Sequence, residues 1–120
     1  MPYFFDTYAI IEIMRGNNNY NPYLNDEIIT CNLNLGELFY SIIREHNEKL
    51  AVKWVEMLKR NAFEADTETI IEAMKFKFKY KQKNFSYIDC IGYMMAKKHG
   101  IKFLTGDKEF NGLEKVEFVK

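Results

Sequence analysis

The chain has 120 residues, 48% hydrophobic and 16% aromatic, too few for two ordinary domains and apolar enough to fill one core. Its 17 basic residues balance its 17 acidic ones, so net charge argues for neither nucleic acid nor a membrane surface. Any basic surface has to come from local segregation. No apolar run is long enough to span a bilayer, and the opening residues lack the basic-then-apolar pattern of a secretory signal. The expectation is a cytoplasmic protein with one domain over residues 1–120. Cys31 and Cys90 lie in apolar surroundings, which favours buried free thiols over a disulfide.

In chain order, residues 3–5 predict a short buried strand and residues 7–15 a short helix that Gly16 stops. The asparagine-rich run over 17–22, closed by Pro22, predicts a loop. Residues 27–31 predict a second short strand. From about Asn34 a helix is carried by Leu35, Leu38, Phe39, Ile42 and Ile43 at helical spacing. A further helix runs through Ala51, Val52, Val55 and Leu58, and residues 61–65 read as a weak edge strand. Thr67 opens another helix as its cap. The run from Lys75 to Lys81 alternates lysine with aromatic residues, which is a strand pattern, yet Ile71, Met74 and Phe78 form one helical stripe. Continuity with the helix start decides for helix. Ser86 begins a helix through Ile91, Met94 and Met95 that Gly100 stops. Residues 101–104 and 116–119 close the chain as strands. Strands alternating with helices predict a parallel sheet covered on both faces.

Asp6 follows the first strand directly, and Asp107 follows the strand at 101–104 through Thr105 and Gly106. In an open parallel sheet the carboxyl ends of the strands share one edge, and ligands bind in the crevice outside it. Two acids far apart in sequence can meet there. Two more acids complete the set: Glu37 in Leu35-Gly36-Glu37-Leu38 and Asp89 in Tyr87-Ile88-Asp89-Cys90. Asp6 and Asp107 brought together at that edge would repel one another, and such a cluster persists best around a divalent cation.

With these four acids in this order, the chain resembles the PIN-domain family of metal-dependent ribonucleases, and in particular the small VapC-type toxins of toxin–antitoxin pairs. The resemblance runs over essentially the whole chain. It implies a three-layer α/β/α sandwich with a central, mainly parallel sheet of about five strands. It also implies that Asp6, Glu37, Asp89 and Asp107 hold Mg²⁺ or Mn²⁺ and form the catalytic set. The implied activity is endonucleolytic cleavage of RNA, restrained by a cognate antitoxin, in a chain that forms homodimers.

Each residue also has a plainer reading. Ser86-x-x-Asp89 fits a capping box, and Asn34-x-x-Glu37 is box-like too. A helical wheel puts Glu37 off the Leu35–Phe39–Ile42 face, as a solvated glutamate. Asp6 can cap the helix after it, and Asp107 can be a turn residue after Gly106. The Thr105 hydroxyl can orient Asp107 or bond a metal-bound water. Glu12 stands close enough to Asp6 to keep in view. His46 and His99 fall near predicted helix C-termini, where an imidazole suits the dipole. The five lysines from Lys75 to Lys83, with Phe76, Phe78 and Tyr80, can contact phosphates and bases, or form a solvated face over aromatic core. Arg15, Lys97, Lys98 and Lys108 are further phosphate candidates. Tyr8, Ile11, Met14 and the Trp54 region are dimer-surface candidates or core. Two functional alternatives stay open: a non-catalytic RNA-binding or protein-interaction module on the same fold, and a housekeeping RNA-processing nuclease.

Overall fold

Ten regular elements follow one another in the computed structural model, which describes residues 2–120. Their order is β1 (Tyr3–Phe5), α1 (Thr7–Met14), β2 (Thr30–Cys31), α2 (Asn32–Glu45), α3 (Glu48–Leu58), β3 (Ala62–Phe63), α4 (Thr67–Lys79), α5 (Tyr87–Lys98), β4 (Lys102–Thr105) and β5 (Val116–Phe118). Side chains alternate faces along a strand, so the neighbours Phe4 and Phe5 point opposite ways. Phe4 joins Phe103, Ala73, Cys90, Tyr93 and Phe110 in one core. Phe5 joins Leu104, Ala9, Ile10, Leu38 and Ala51 in a second core. The sheet therefore separates two apolar layers, with α4 and α5 on one side and α1, α2 and α3 on the other. That is the expected α/β/α sandwich.

All strand pairings are parallel. β1 pairs with β4, β4 with β5, and β2 with β3. A single parallel bridge between Phe4 and Ile29 joins the three-stranded and two-stranded parts. The Phe5 amide donates to the Ile29 carbonyl at 2.8 Å, and the Thr30 hydroxyl donates to the Phe5 carbonyl at 2.8 Å. The spatial order is thus β3-β2-β1-β4-β5. Sequence order runs outward one way from β1 and the other way from β4. The gap outside the carboxyl ends of β1 and β4 is the topological switch point, where such sheets bind ligands.

Several local expectations need correction. The strand expected over 27–31 shrinks to Thr30–Cys31. The loop expected over 17–22 is a 3-10 turn over Asn18–Tyr23. It forms because Tyr20 is fully buried and its hydroxyl donates to the Val119 carbonyl at 2.5 Å. Asp66, not Thr67, caps α4, and its carboxylate accepts from the Thr69 amide at 3.2 Å. The lysine-aromatic run is helical through Lys79, because Ala73 is buried in the core and Phe76 packs there against Phe85 and Tyr93. Gly16 and Gly100 stand at φ 76° and 67°, the left-handed conformation that ends helices. Cys31 and Cys90 are buried free thiols. Among the described residues, no helix is long and apolar enough to cross a membrane.

Candidate active site

Asp6, Glu37, Asp89 and Asp107 line one open pocket of about 250 Å³, together with Thr7, Tyr8, Ile11 and Ser41. Four separate elements bring them there. Asp6 leaves the end of β1 and caps α1; Glu37 projects from the second turn of α2. Asp89 lies in the first turn of α5, and Asp107 follows β4 at the start of a 3-10 turn over Lys108–Phe110. Parallel connectivity makes this convergence: α5 runs antiparallel to the strand it feeds, so its N-terminus lies at the carboxyl edge.

Three of the acids are fixed by backbone amides at element starts. Ala9 N–H donates to Asp6 Oδ1 at 2.8 Å. Ser86 N–H donates to Asp89 Oδ2 at 2.9 Å, and Glu109 N–H donates to Asp107 Oδ1 at 3.0 Å. The capping readings of Asp6 and Asp89 are therefore real, and both residues still face the pocket. The box-like reading of Asn34 and Glu37 is not: Asn34 lies inside α2, whose cap is Cys31. Glu37 is half-buried on the pocket wall instead of standing on a solvated face.

Thr105 ties the site together. Its buried hydroxyl donates to Asp6 Oδ2 and accepts from the Asp107 amide at 3.0 Å. It orients the Asp6 carboxylate and the Asp107 backbone, so its donor is already committed. Asp6 is 4% exposed. Burial pushes its carboxyl up to about 8, against the lowering by Thr105 and Ala9, and the charges of Asp89 and Asp107 push the same way. Asp89 is raised too, first by burial and then by Asp107 and Glu37, against the lowering by Ser86. Among the described residues, none of the four acids enters an ion pair.

The donor set is all carboxylate and hydroxyl oxygen, which suits a hard divalent cation. An excess of negative charge with no counter-charge among the described lining residues suits one as well. As they stand, no three His, Cys, Asp or Glu side chains among the described residues are grouped to hold a metal ion. The acids share a pocket without closing on a common point.

The other sequence candidates lie elsewhere. Glu12 binds Arg15 and Asn17 and does not line the pocket. His46 and His99 are the C-caps of α2 and α5, and His99 stacks on Phe63 at 3.8 Å. Lys97 and Lys98 pair with Glu114 and Asp66. Phe76 belongs to the aromatic core, which removes it as a base-stacking residue. Trp54 packs on the second core with Ile11 and Met14.

Three residues shape the site in ways the sequence pattern does not show. Thr7 lines the pocket and accepts from Asn34 Nδ2 at 3.0 Å, bracing α1 against α2 beside Glu37. Asn34 interrupts an apolar face, and that was the available signal. Its Oδ1 is buried without a hydrogen-bond partner among the described residues. Gly106 is required by close approach: a Cβ there would lie 2.1 Å from the Tyr8 ring and 2.6 Å from the Val119 carbonyl.

The family model described as "PIN domain" matches residues 3–116. The chain is similar in fold to VapC20 of Mycobacterium tuberculosis, a toxin that cleaves the sarcin–ricin loop. That match has a TM-score of 0.82 at 16% identity and covers 98% of this chain and 99% of that one. It is similar also to a toxin–antitoxin complex from Klebsiella pneumoniae (TM-score 0.77, 18% identity, 98% and 96% covered) and to VapBC-1 from nontypeable Haemophilus influenzae (TM-score 0.72, 17% identity, 98% and 96% covered). No curated protein matches this chain. A family match over nearly the whole chain, on a parallel sheet whose switch point gathers acids from β1, α2, α5 and the end of β4, leads to one conclusion: the chain belongs to the PIN domain family.

Proposed function

We propose that this chain is a Mg²⁺- or Mn²⁺-dependent endoribonuclease, acting as a single domain and serving as the toxin of a toxin–antitoxin pair. One observation carries the reading: Asp6 is buried, and it shares a pocket with Glu37, Asp89 and Asp107 that no cationic side chain among the described residues lines. A divalent ion held by such oxygens supplies charge relief at the phosphate and an activated water. Asp6 is the fixed wall of the site, held by Ala9 N–H and the Thr105 hydroxyl. Glu37, Asp89 and Asp107 form the open wall. A carboxylate there accepts the proton of the attacking water, since neither histidine lines the pocket. Ion binding involves some side-chain rearrangement, because the acids do not yet meet at one point.

The test is a panel of single substitutions at the four acids, assayed for metal-stimulated cleavage of a mixed RNA pool. Loss of cleavage with an intact fold supports the assignment; full cleavage in excess chelator sinks it. The toxin role draws on similarity to structures described as toxin–antitoxin and VapBC complexes. It predicts a cognate antitoxin that suppresses cleavage when co-expressed, and a homodimer in solution by light scattering.

A further inference from the structure

In a chain of zero net charge, position of charge is what matters. Five lysines fall between Lys75 and Lys83, and residues 73–88 contain no acid. Of the nine lysines elsewhere, four pair with a carboxylate among the described residues: Lys59, Lys97, Lys98 and Lys102. Of the five, only Lys75 does so among the described residues, with Glu72. Lys77 donates instead to the Phe85 carbonyl, and Lys83 to the Glu109 carbonyl at 3.1 Å. Carbonyl partners hold these ammonium groups in place without cancelling their charge.

Two large rings stand open in this positive field. Phe78 is 71% exposed and Tyr87 64% exposed. Lys81 Nζ lies 4.6 Å from the Phe78 ring centre, and Lys77 Nζ lies 5.1 Å from that of Tyr87. With Met74 they line an open concavity of about 280 Å³. Met74, Lys77, Phe78 and Lys81 follow i, i+3, i+4, i+7 spacing, one face of α4 continued past its end. Exposing rings of this size to water is unfavourable in a monomer. A ring beside an ammonium offers a π face for a base and a charge for its phosphate.

The location ties this face to the acids. α4 packs antiparallel on α5, so the C-terminal end of α4 lies beside the N-terminal end of α5. Tyr87 opens α5 and Asp89 lies in the same first turn. The platform and the acid pocket therefore share the carboxyl edge of the sheet.

We propose that Lys77, Phe78, Lys81 and Tyr87 form a binding platform for single-stranded RNA, stacking unpaired bases and pairing with their phosphates as the strand passes to the acid pocket. The ligand assignment rests on the ribonuclease reading above. Duplex RNA keeps its bases stacked inside and cannot use the rings.

Binding is measured in chelator, by fluorescence anisotropy of a short mixed-sequence oligoribonucleotide, so that no cleavage is involved. Phe78→Ala and Tyr87→Ala each weaken single-strand binding by roughly tenfold and leave duplex binding unchanged. Lys81→Ala lowers the salt dependence by about one phosphate contact, whereas Lys59→Ala, on a distant paired lysine, leaves it unchanged. Circular dichroism confirms the fold of each variant; these side chains are exposed, and Tyr87→Phe rescues binding. Asp6→Asn binds RNA and cannot cut it. Platform variants that bind the single strand like the parent overturn the proposal, whether or not the parent cleaves RNA. Lost binding to a protein partner with RNA affinity intact also overturns it. A parent that binds through the platform yet shows no metal-stimulated cleavage defeats the nuclease reading alone.

Discussion

Asp6 and Asp66 start from the same local structure and end in opposite states. Each caps a helix, and each carboxylate accepts from the third helical amide and from a threonine hydroxyl. Asp6 is buried at the sheet edge among acids, and its carboxyl rises to about 8. Asp66 is partly exposed at the start of α4. The Thr69 hydroxyl and then Lys98, 2.9 Å away, hold its carboxyl well below the usual carboxylate range. A cap motif therefore does not set charge state. Solvent access and the sign of the neighbours do. The strained case is the one at the topological switch point.

The largest expected effect is at Asp6. Its folded pKa lies above its unfolded value, so the folded chain keeps a proton that the unfolded chain loses as pH rises. Metal-free stability should therefore fall from about pH 4 to about pH 8. Asp6→Asn should flatten that slope in chemical denaturation at a series of pH values. The same substitution should lower cleavage by about a hundredfold or more, since even partners of metal ligands cost up to that. Added Mn²⁺ at pH 8 should raise the melting temperature of the parent and not of Asp6→Asn. A variant that melts and cleaves like the parent would remove Asp6 from the site.

Gly106→Ala is next. The added methyl meets the Tyr8 ring and the Val119 carbonyl, and overpacking of this kind costs about 1–3 kcal/mol. Denaturant midpoints should show it, with cleavage reduced as the Asp107 turn shifts. An unperturbed midpoint would mean that Tyr8 swings freely off the turn.

How much of this was readable beforehand follows from where the information is stored. The acids after β1 and β4 were legible because strand ends and turn residues are local signals. The α/β alternation was legible for the same reason. Glu37 was not: periodicity alone puts it on a solvated face, and only the packing of α2 beside α1 turns it to the pocket. The Asn34–Thr7 bond joins residues 27 positions apart, and no spacing rule encodes it. Tyr20 made a helical turn from a segment whose local chemistry reads as loop, because burial of a ring outweighs turn propensity. At α4, a good helix start overrode the alternation of lysine and aromatic residues. That alternation did mark a real feature, since Phe78 is exposed while Phe76 is core.

The two threonines sharpen the contrast between the aspartates. Thr105→Val removes a buried donor to Asp6 and the acceptor of the Asp107 amide, so a loss of about 1–3 kcal/mol is expected. It also raises the Asp6 carboxyl further, because Thr105 is its strongest lowering influence. The pH at which metal-free stability levels off should move up. Thr69→Val removes the corresponding bond from Asp66, where water can replace it, and should cost about 1 kcal/mol or less. Equal losses at the two positions would show that burial does not separate them.

The smallest effect belongs to Lys98. Its pair with Asp66 is exposed on both sides, at 49% and 38%, and exposed pairs gain little over hydration and are screened by salt. Lys98→Ala should leave the melting temperature at neutral pH nearly unchanged and cleavage untouched. Asp66→Asn should lower stability mainly at neutral pH and have little effect in acid. The folded pKa of Asp66 is depressed, so its contribution is present above the ordinary carboxylate range and is lost as pH falls from that range through the lower folded pKa. The pH dependence it removes thus has the opposite sign to that removed by Asp6→Asn. If both substitutions changed the slope of stability against pH in the same direction, or if Asp66→Asn impaired cleavage as severely as Asp6→Asn, position in the fold would not distinguish the two capping carboxylates.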